Sequence, residues 1–101
     1  MKSEIRAERA FNALKKIGVP VYHLGEGWSG QALFTVSGED NYPEIWADYY
    51  AAPWHGAQWH EEVSCLDDFG VNKKINKILK KYKLCAEWYN PGVLEVYDAA
   101  Y

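Results

Sequence analysis

Between Gly18 and Gly70 the chain has no lysine and no arginine. A phosphate-gripping loop or a nucleic-acid surface built from this half is thereby excluded, since both rely on cationic side chains. The glycine-rich run Gly25-Glu26-Gly27-Trp28-Ser29-Gly30 is read as a hairpin loop, because it lacks a lysine and Glu26 would repel an anion. Cysteine is scarce too: Cys65 and Cys85 do not make a disulfide scaffold, so a reducing, cytoplasmic setting is expected. No apolar run approaches the roughly 18 to 20 residues that cross a bilayer, and Met1-Lys2-Ser3-Glu4 leads into a charged helix rather than a signal segment. A soluble protein without a membrane partner is therefore expected. Only four prolines occur and 49% of the residues are apolar, which leaves no compositional case for disorder. With 101 residues, one globular domain covering 1–101 is expected.

What fills the gap is carboxylate and aromatic surface. Gly18 to Gly70 carries nine carboxylates, whereas Met1 to Ile17 holds five basic and two acidic residues and Val71 to Tyr101 holds six and three. The net charge of -3 thus averages over a strong segregation. An acidic face would attract cationic partners and repel nucleic acid within a Debye length of about 8 Å. Tyr42 to Phe69 holds seven aromatic residues in 28, more than the predicted buried stripes can hide. Some of Trp28, Tyr49, Trp54 and Trp59 are therefore expected at the surface.

The periodicity predicts an α+β fold. Ser3 is a suitable N-cap, and Ala7, Ala10, Phe11, Leu14 and Ile17 recur at helical steps until Gly18 and Pro20 stop the run. Val19 to Leu24 and Gln31 to Val36 read as a hairpin. Ile45 to Tyr50 fits either a helix, with Asn41 and Glu44 placed like a capping box, or a strand; its Ile, Trp and Tyr content favours a third strand. Trp59, Val63 and Leu66 mark a short helix. Asn72 caps a clear helix in which Ile75, Ile78, Leu79 and Tyr82 face inward and the lysines face water. Leu84 to Tyr89 and Val93 to Tyr97 form a second hairpin around Asn90-Pro91-Gly92, with Leu84, Ala86, Trp88, Leu94 and Val96 on one face and a bulge near Gly92.

Overlaying the chain on itself at an offset of 65 aligns Leu14 with Leu79, Val19 with Leu84 and Val21 with Ala86. This weak repeat predicts two helix-plus-hairpin units, α-β-β-(β)-α-β-β, with the helices packed on one face of a mainly antiparallel sheet and an acidic-aromatic insert at about 39–70.

Catalytic constellations are weak. His55, His60, Glu61, Glu62 and Cys65, with His23 and Cys85, are suitable zinc ligands by type, but neither C-x-x-C nor H-E-x-x-H occurs. The repeated Trp-His step of five residues turns His55 and His60 apart on a helix and onto opposite faces of a strand. Cys65 as a nucleophile would face Glu61 rather than His60 on a helix, and a carboxylate raises a thiol pKa. The paired carboxylates diverge in regular structure and read as solvated turns. No metal, no cofactor and no catalytic residue is expected, and a metal- or thiol-dependent hydrolase ranks third.

The leading expectation is a small non-enzymatic protein-binding domain, an inhibitor or adaptor that docks on a basic, nucleic-acid-binding partner, in the manner of a mobile element's anti-defence protein. Its surface would comprise Glu44, Trp46, Asp48, Tyr49, Tyr50, Trp54, Trp59, Glu61 and Glu62, since Trp and Tyr dominate interface hot spots and carboxylates steer a basic partner. The alternative is a nucleic-acid binder using Lys73, Lys74, Lys77, Lys80 and Lys81 of the helix at 72–83, with Tyr89 and Tyr97 as stacking platforms. A homodimer through Tyr49 to Trp54 is a further expectation.

Overall fold

The structure, a computed structural model, describes residues 2–25, 32–41, 44–51 and 65–99. It is α+β: two helices, α1 (Ser3–Lys16) and α2 (Lys73–Lys81), and a four-stranded antiparallel sheet. The strands are β1 (Val21–Tyr22), β2 (Phe34–Ser37), β3 (Leu84–Asn90) and β4 (Val93–Asp98), in the spatial order β1-β2-β4-β3. Each hairpin is therefore joined to the other through its second strand, with Phe34 opposite Val96 and Val36 opposite Leu94. No described helix is long and apolar enough to cross a membrane.

α1 buries Ala7, Ala10 and Leu14. It starts one residue earlier than the cap reading: Ser3 is its first residue, and Lys2 in extended conformation holds the cap position without a side-chain bond. Its end is a Schellman motif, in which Gly18 at φ 98° donates to Lys15 O and Val19 donates to Leu14 O at 3.0 Å. Ile17 lies past the helix and is exposed rather than part of the stripe, while Val19 is buried in its place.

α2 opens on Asn72, whose side chain accepts from Lys74 N and donates to Ile45 O at 2.8 Å. Burying this amide is tolerable because both of its ends are used. Ile75 and Leu79 point into the core; the helix ends at Lys81, Tyr82 is its C-cap, and Lys83 beyond it is held at φ 57°. The side chains of α1 and α2 meet Phe34, Val36, Leu84, Leu94 and Val96 of the sheet in one apolar cluster.

The second hairpin has the expected face, since Leu84, Leu94 and Val96 are buried and Ala86 and Trp88 pack against the same core. Its irregularity lies elsewhere: Asn90 pairs directly with Val93 around Pro91-Gly92, and the bulge falls between Trp88 and Asn90. Asn90 Oδ1 accepts from Gly92 N at 2.8 Å and closes that turn. On the reverse side of the sheet Thr35 and Glu95 are buried, and Tyr97 OH donates to Glu95 Oε1 at 2.6 Å.

Ile45 to Tyr50 is not a third strand. Ala47 alone forms a bridge, to Val71, and Tyr49–Ala51 is a 3-10 turn. Asn41 is the reason the segment turns: its Oδ1 accepts from both Trp46 N and Ala47 N, which diverts these donors from any ladder. The helix expected from Trp59 to Leu66 falls largely outside the described residues; Leu66 itself forms a bridge with Asn72.

Candidate protein-docking groove

Three segments converge beside β3: 44–51, 65–71 and the second hairpin. Asp67 shapes the middle one. Its Oδ1 accepts from Phe69 N and Val71 N, and its Oδ2 accepts from Asn76 Nδ2. Gly70 then passes so close to the first segment that a Cβ would lie 2.1 Å from Asp48 O, and its φ of 82° also calls for glycine. Asp48 N donates to Gly70 O at 2.8 Å, and Asp48 Oδ1 accepts from Tyr50 N. These local bonds hold Tyr49 and Phe69 over the sheet.

Between them and β3 lies a groove of about 520 Å3, lined by Tyr49, Phe69, Val71, Ala86, Glu87, Trp88 and Leu94. Trp88 is the fixed wall. Its Nε1–H donates to Phe69 O at 2.7 Å, its ring meets Tyr49 edge to face at 5.5 Å, and a Cβ on Gly38 would sit 2.9 Å from its Cζ3. Tyr49 in turn meets Tyr50 edge to face at 5.4 Å. Phe69, in the lining, is 61% exposed, and Tyr50 beside Tyr49 is 64% exposed, so aromatic surface reaches solvent on this side.

The electrostatics are one-sided. Residues 44–51, 65–71 and 84–98 together carry seven carboxylates and no lysine or arginine. Some of these charges are engaged: Glu44 Oε1 takes Lys74 Nζ at 2.7 Å, and Asp98 Oδ2 takes Arg6 Nη2 at 2.6 Å. Asp68 and Glu87 are exposed near the groove.

Of the residues singled out from sequence, Tyr49 lines the groove, the exposed Tyr50 packs edge to face on Tyr49 outside the lining, and Asp48 Oδ1 accepts from Tyr50 N. Trp46 does not belong to this surface. It is 1% exposed, a core residue with Lys74 Nζ 5.8 Å from its ring centroid, and Glu44 is tied to the same lysine. Trp28, Trp54, Trp59, Glu61 and Glu62, like His55 and His60, lie outside the described residues. Lys73, Lys74, Lys77, Lys80 and Lys81 are exposed along α2, with Lys81 Nζ 5.5 Å from the Tyr82 ring. Phe69, Trp88 and Glu87 were not selected from sequence. Phe69 sits within the aromatic-rich stretch, and Trp88 ends the apolar face of a hairpin beyond the reach of the helical stripes; those were the available signals.

Cys65 is half-buried and its thiol points to Ile45 O at 3.9 Å. Burial pushes the Cys85 thiol above its ordinary value of 9.0, and Glu87 and Asp98 push it further in the same direction. Among the described residues no three His, Cys, Asp or Glu side chains are grouped to hold a metal ion.

Compared with protein-family models, curated proteins and solved structures, the chain matches none.

Proposed function

We propose that this chain is a small non-enzymatic protein-binding domain, an inhibitor or adaptor whose acidic-aromatic surface docks on a basic, nucleic-acid-binding partner, as a mobile element's anti-defence protein would. The observation that carries the reading is the groove between Tyr49, Phe69 and Trp88, built from segments that have carboxylates but no cationic residue. Rigid aromatic walls bury large area at small entropic loss, and surrounding carboxylates steer a cationic partner and fix its register. Arginine suits such a site doubly, since its guanidinium pairs with carboxylates and stacks on aromatic faces. The same reading takes the chain as two helix-plus-hairpin units with both helices over one face of the sheet. It is supported by the shared core and by the left-handed residues Gly18 and Lys83, which follow the helices 65 positions apart.

The test is capture from a nuclease-treated lysate by the wild-type chain and by two variants. A Tyr50→Ser/Phe69→Ser variant removes exposed aromatic surface with little risk to the core. A Lys77→Glu/Lys80→Glu variant alters α2 instead. A basic protein retained by the wild type and the α2 variant, weakened by salt and lost from the aromatic variant, is the expected result. Loss only from the α2 variant would transfer the function to the lysine helix. That second reading is favoured by one observation, the continuous exposure of Lys73, Lys77, Lys80 and Lys81.

A further inference from the structure

β3 is one of the two outer strands of the sheet and, at seven residues, far longer than the two-residue β1 at the other edge. The ladder fixes which of its main-chain groups face outward. Gly38 N donates to Gly92 O at 2.9 Å and Ala99 N donates to Lys83 O at 3.0 Å. With the observed registers, Leu94 and Val96 therefore bond toward β2, Glu95 and Tyr97 bond toward β3, and Cys85 and Glu87 bond toward β4. The N–H and C=O groups of Leu84, Ala86 and Trp88 are left facing away from the sheet, spaced about 6.8 Å apart. Among the described residues they have no hydrogen-bond partner.

Natural sheets blunt such an edge with lysine, proline or a bulge. Here the bulge between Trp88 and Asn90 and the proline at 91 come only after the stretch that no described residue pairs with, and the outward-bonding residues are apolar. Ala86 is the small residue between Leu84 and Trp88, and it lies in the groove wall.

We infer that the occupant of the groove is an extended segment of the basic partner, alternating apolar residues with Lys or Arg, which adds to β3 as a fifth strand. This rests on the reading of the groove as the docking site. The alternation follows from the pleat: side chains of the added strand on the core side fall beside Ala86 and against Trp88, Tyr49 and Phe69, while those on the reverse side fall beside Glu87. The charge of the lining is that of Glu87, with the exposed Asp68 next to Phe69, and no described lysine or arginine lines the groove, which selects the cationic class. A second copy is disfavoured on the same ground, because edge-to-edge pairing would set two such linings against each other.

The probe is a phage-displayed library of random 12-residue peptides selected on the whole chain. Enriched peptides are expected to alternate apolar residues with Lys or Arg and to slow amide exchange at Leu84, Ala86 and Trp88 by tenfold or more. Ala86→Pro removes an outward N–H and no bond of the β3–β4 ladder, so the sheet is expected to survive while the enriched peptides bind at least tenfold more weakly. If that variant fails to fold, amide exchange on the wild type decides. Peptides that lose binding on Phe69→Ser or Glu87→Lys but leave those three amides unprotected would overturn strand addition and keep the groove. Peptides indifferent to all these variants, or no enrichment, would overturn both. Protection of the same amides in the chain alone, rising with its concentration, would make a second copy the occupant and overturn the inference.

Discussion

Replacing Arg6 with alanine is expected to destabilise the protein by about 2 to 3 kcal/mol, because one guanidinium joins three separate elements. Its Nη2 donates to Asp98 Oδ2 at 2.6 Å, and its Nη1 donates to Tyr82 O and to Lys83 O, each at 3.0 Å. α1 is thereby fastened to the connection between α2 and β3 and to the end of β4. A fully buried pair broken on one side loses about 3 to 5 kcal/mol and an exposed pair less than about 1. With side chains 13% and 29% exposed, this site falls between the two. The carbonyls of Tyr82 and Lys83, just past α2, also lose a charged donor, although Lys83 O keeps Ala99 N and water replaces part of the loss. For a domain of this size the loss corresponds to a Tm lower by roughly 10 to 20 °C. Arg6→Lys keeps the charge, but a single ammonium cannot reproduce the planar fork, so it is expected to recover less than half. Urea unfolding followed by tryptophan fluorescence measures both. A loss under about 0.5 kcal/mol in Arg6→Ala, or full recovery in Arg6→Lys, would refute the reasoning.

Gly70→Ala is expected to lose more than about 3 kcal/mol, since the new Cβ meets the Asp48 carbonyl and the backbone is left-handed; thermal unfolding by circular dichroism checks it. Lys83→Gly is expected to gain roughly 0.5 to 1 kcal/mol in urea unfolding, because Lys83 sits at φ 57°, where a side chain is strained. The raised Cys85 pKa makes the folded chain hold its thiol proton longer than the unfolded chain. Stability should therefore begin to fall as pH rises through 9.0, and continue to fall up to the folded value; Cys85→Ala should flatten that slope. Below that window Cys85 should react with iodoacetamide more slowly than an exposed thiol, as mass spectrometry of the labelled chain would report.

α2 was legible because its apolar residues recur at helical steps among lysines, leaving one way to bury Ile75 and Leu79. The second hairpin was legible as a face, since only an odd-length connection puts Leu84, Leu94 and Val96 together on the core side and keeps Glu95 off it. A bulge was expected near Gly92 but falls between Trp88 and Asn90, because Asn90 closes a tight turn around Pro91-Gly92. Ile45 to Tyr50 misled because strand-forming side chains are outweighed by Asn41, a residue five positions away that captures two backbone donors. Trp46 looked like surface because its neighbours are charged, yet burial depends on where Val71 and Asn72 cross it. The groove was half legible. Tyr49 and Tyr50 stood out by type, but the bond from Trp88 to Phe69 O spans 19 positions and follows from the folding of two loops. Asp67 and Asp48 belonged to the apparent surface charge, whereas their oxygens cap local amides.

The sheet order also sets how the chain must fold. The two hairpins are joined along β2 and β4, where Phe34 pairs with Val96 across 62 positions, so the central ladder closes a very long loop. Such late, non-local pairing slows folding and binds the halves into one cooperative unit. A fragment ending at Ala51 would keep β2 with only the two-residue β1 beside it, and a fragment beginning at Cys65 would expose the apolar face of its hairpin. Neither half should hold its structure alone, and mixing them should restore both: a chain whose two halves serve as each other's folding template.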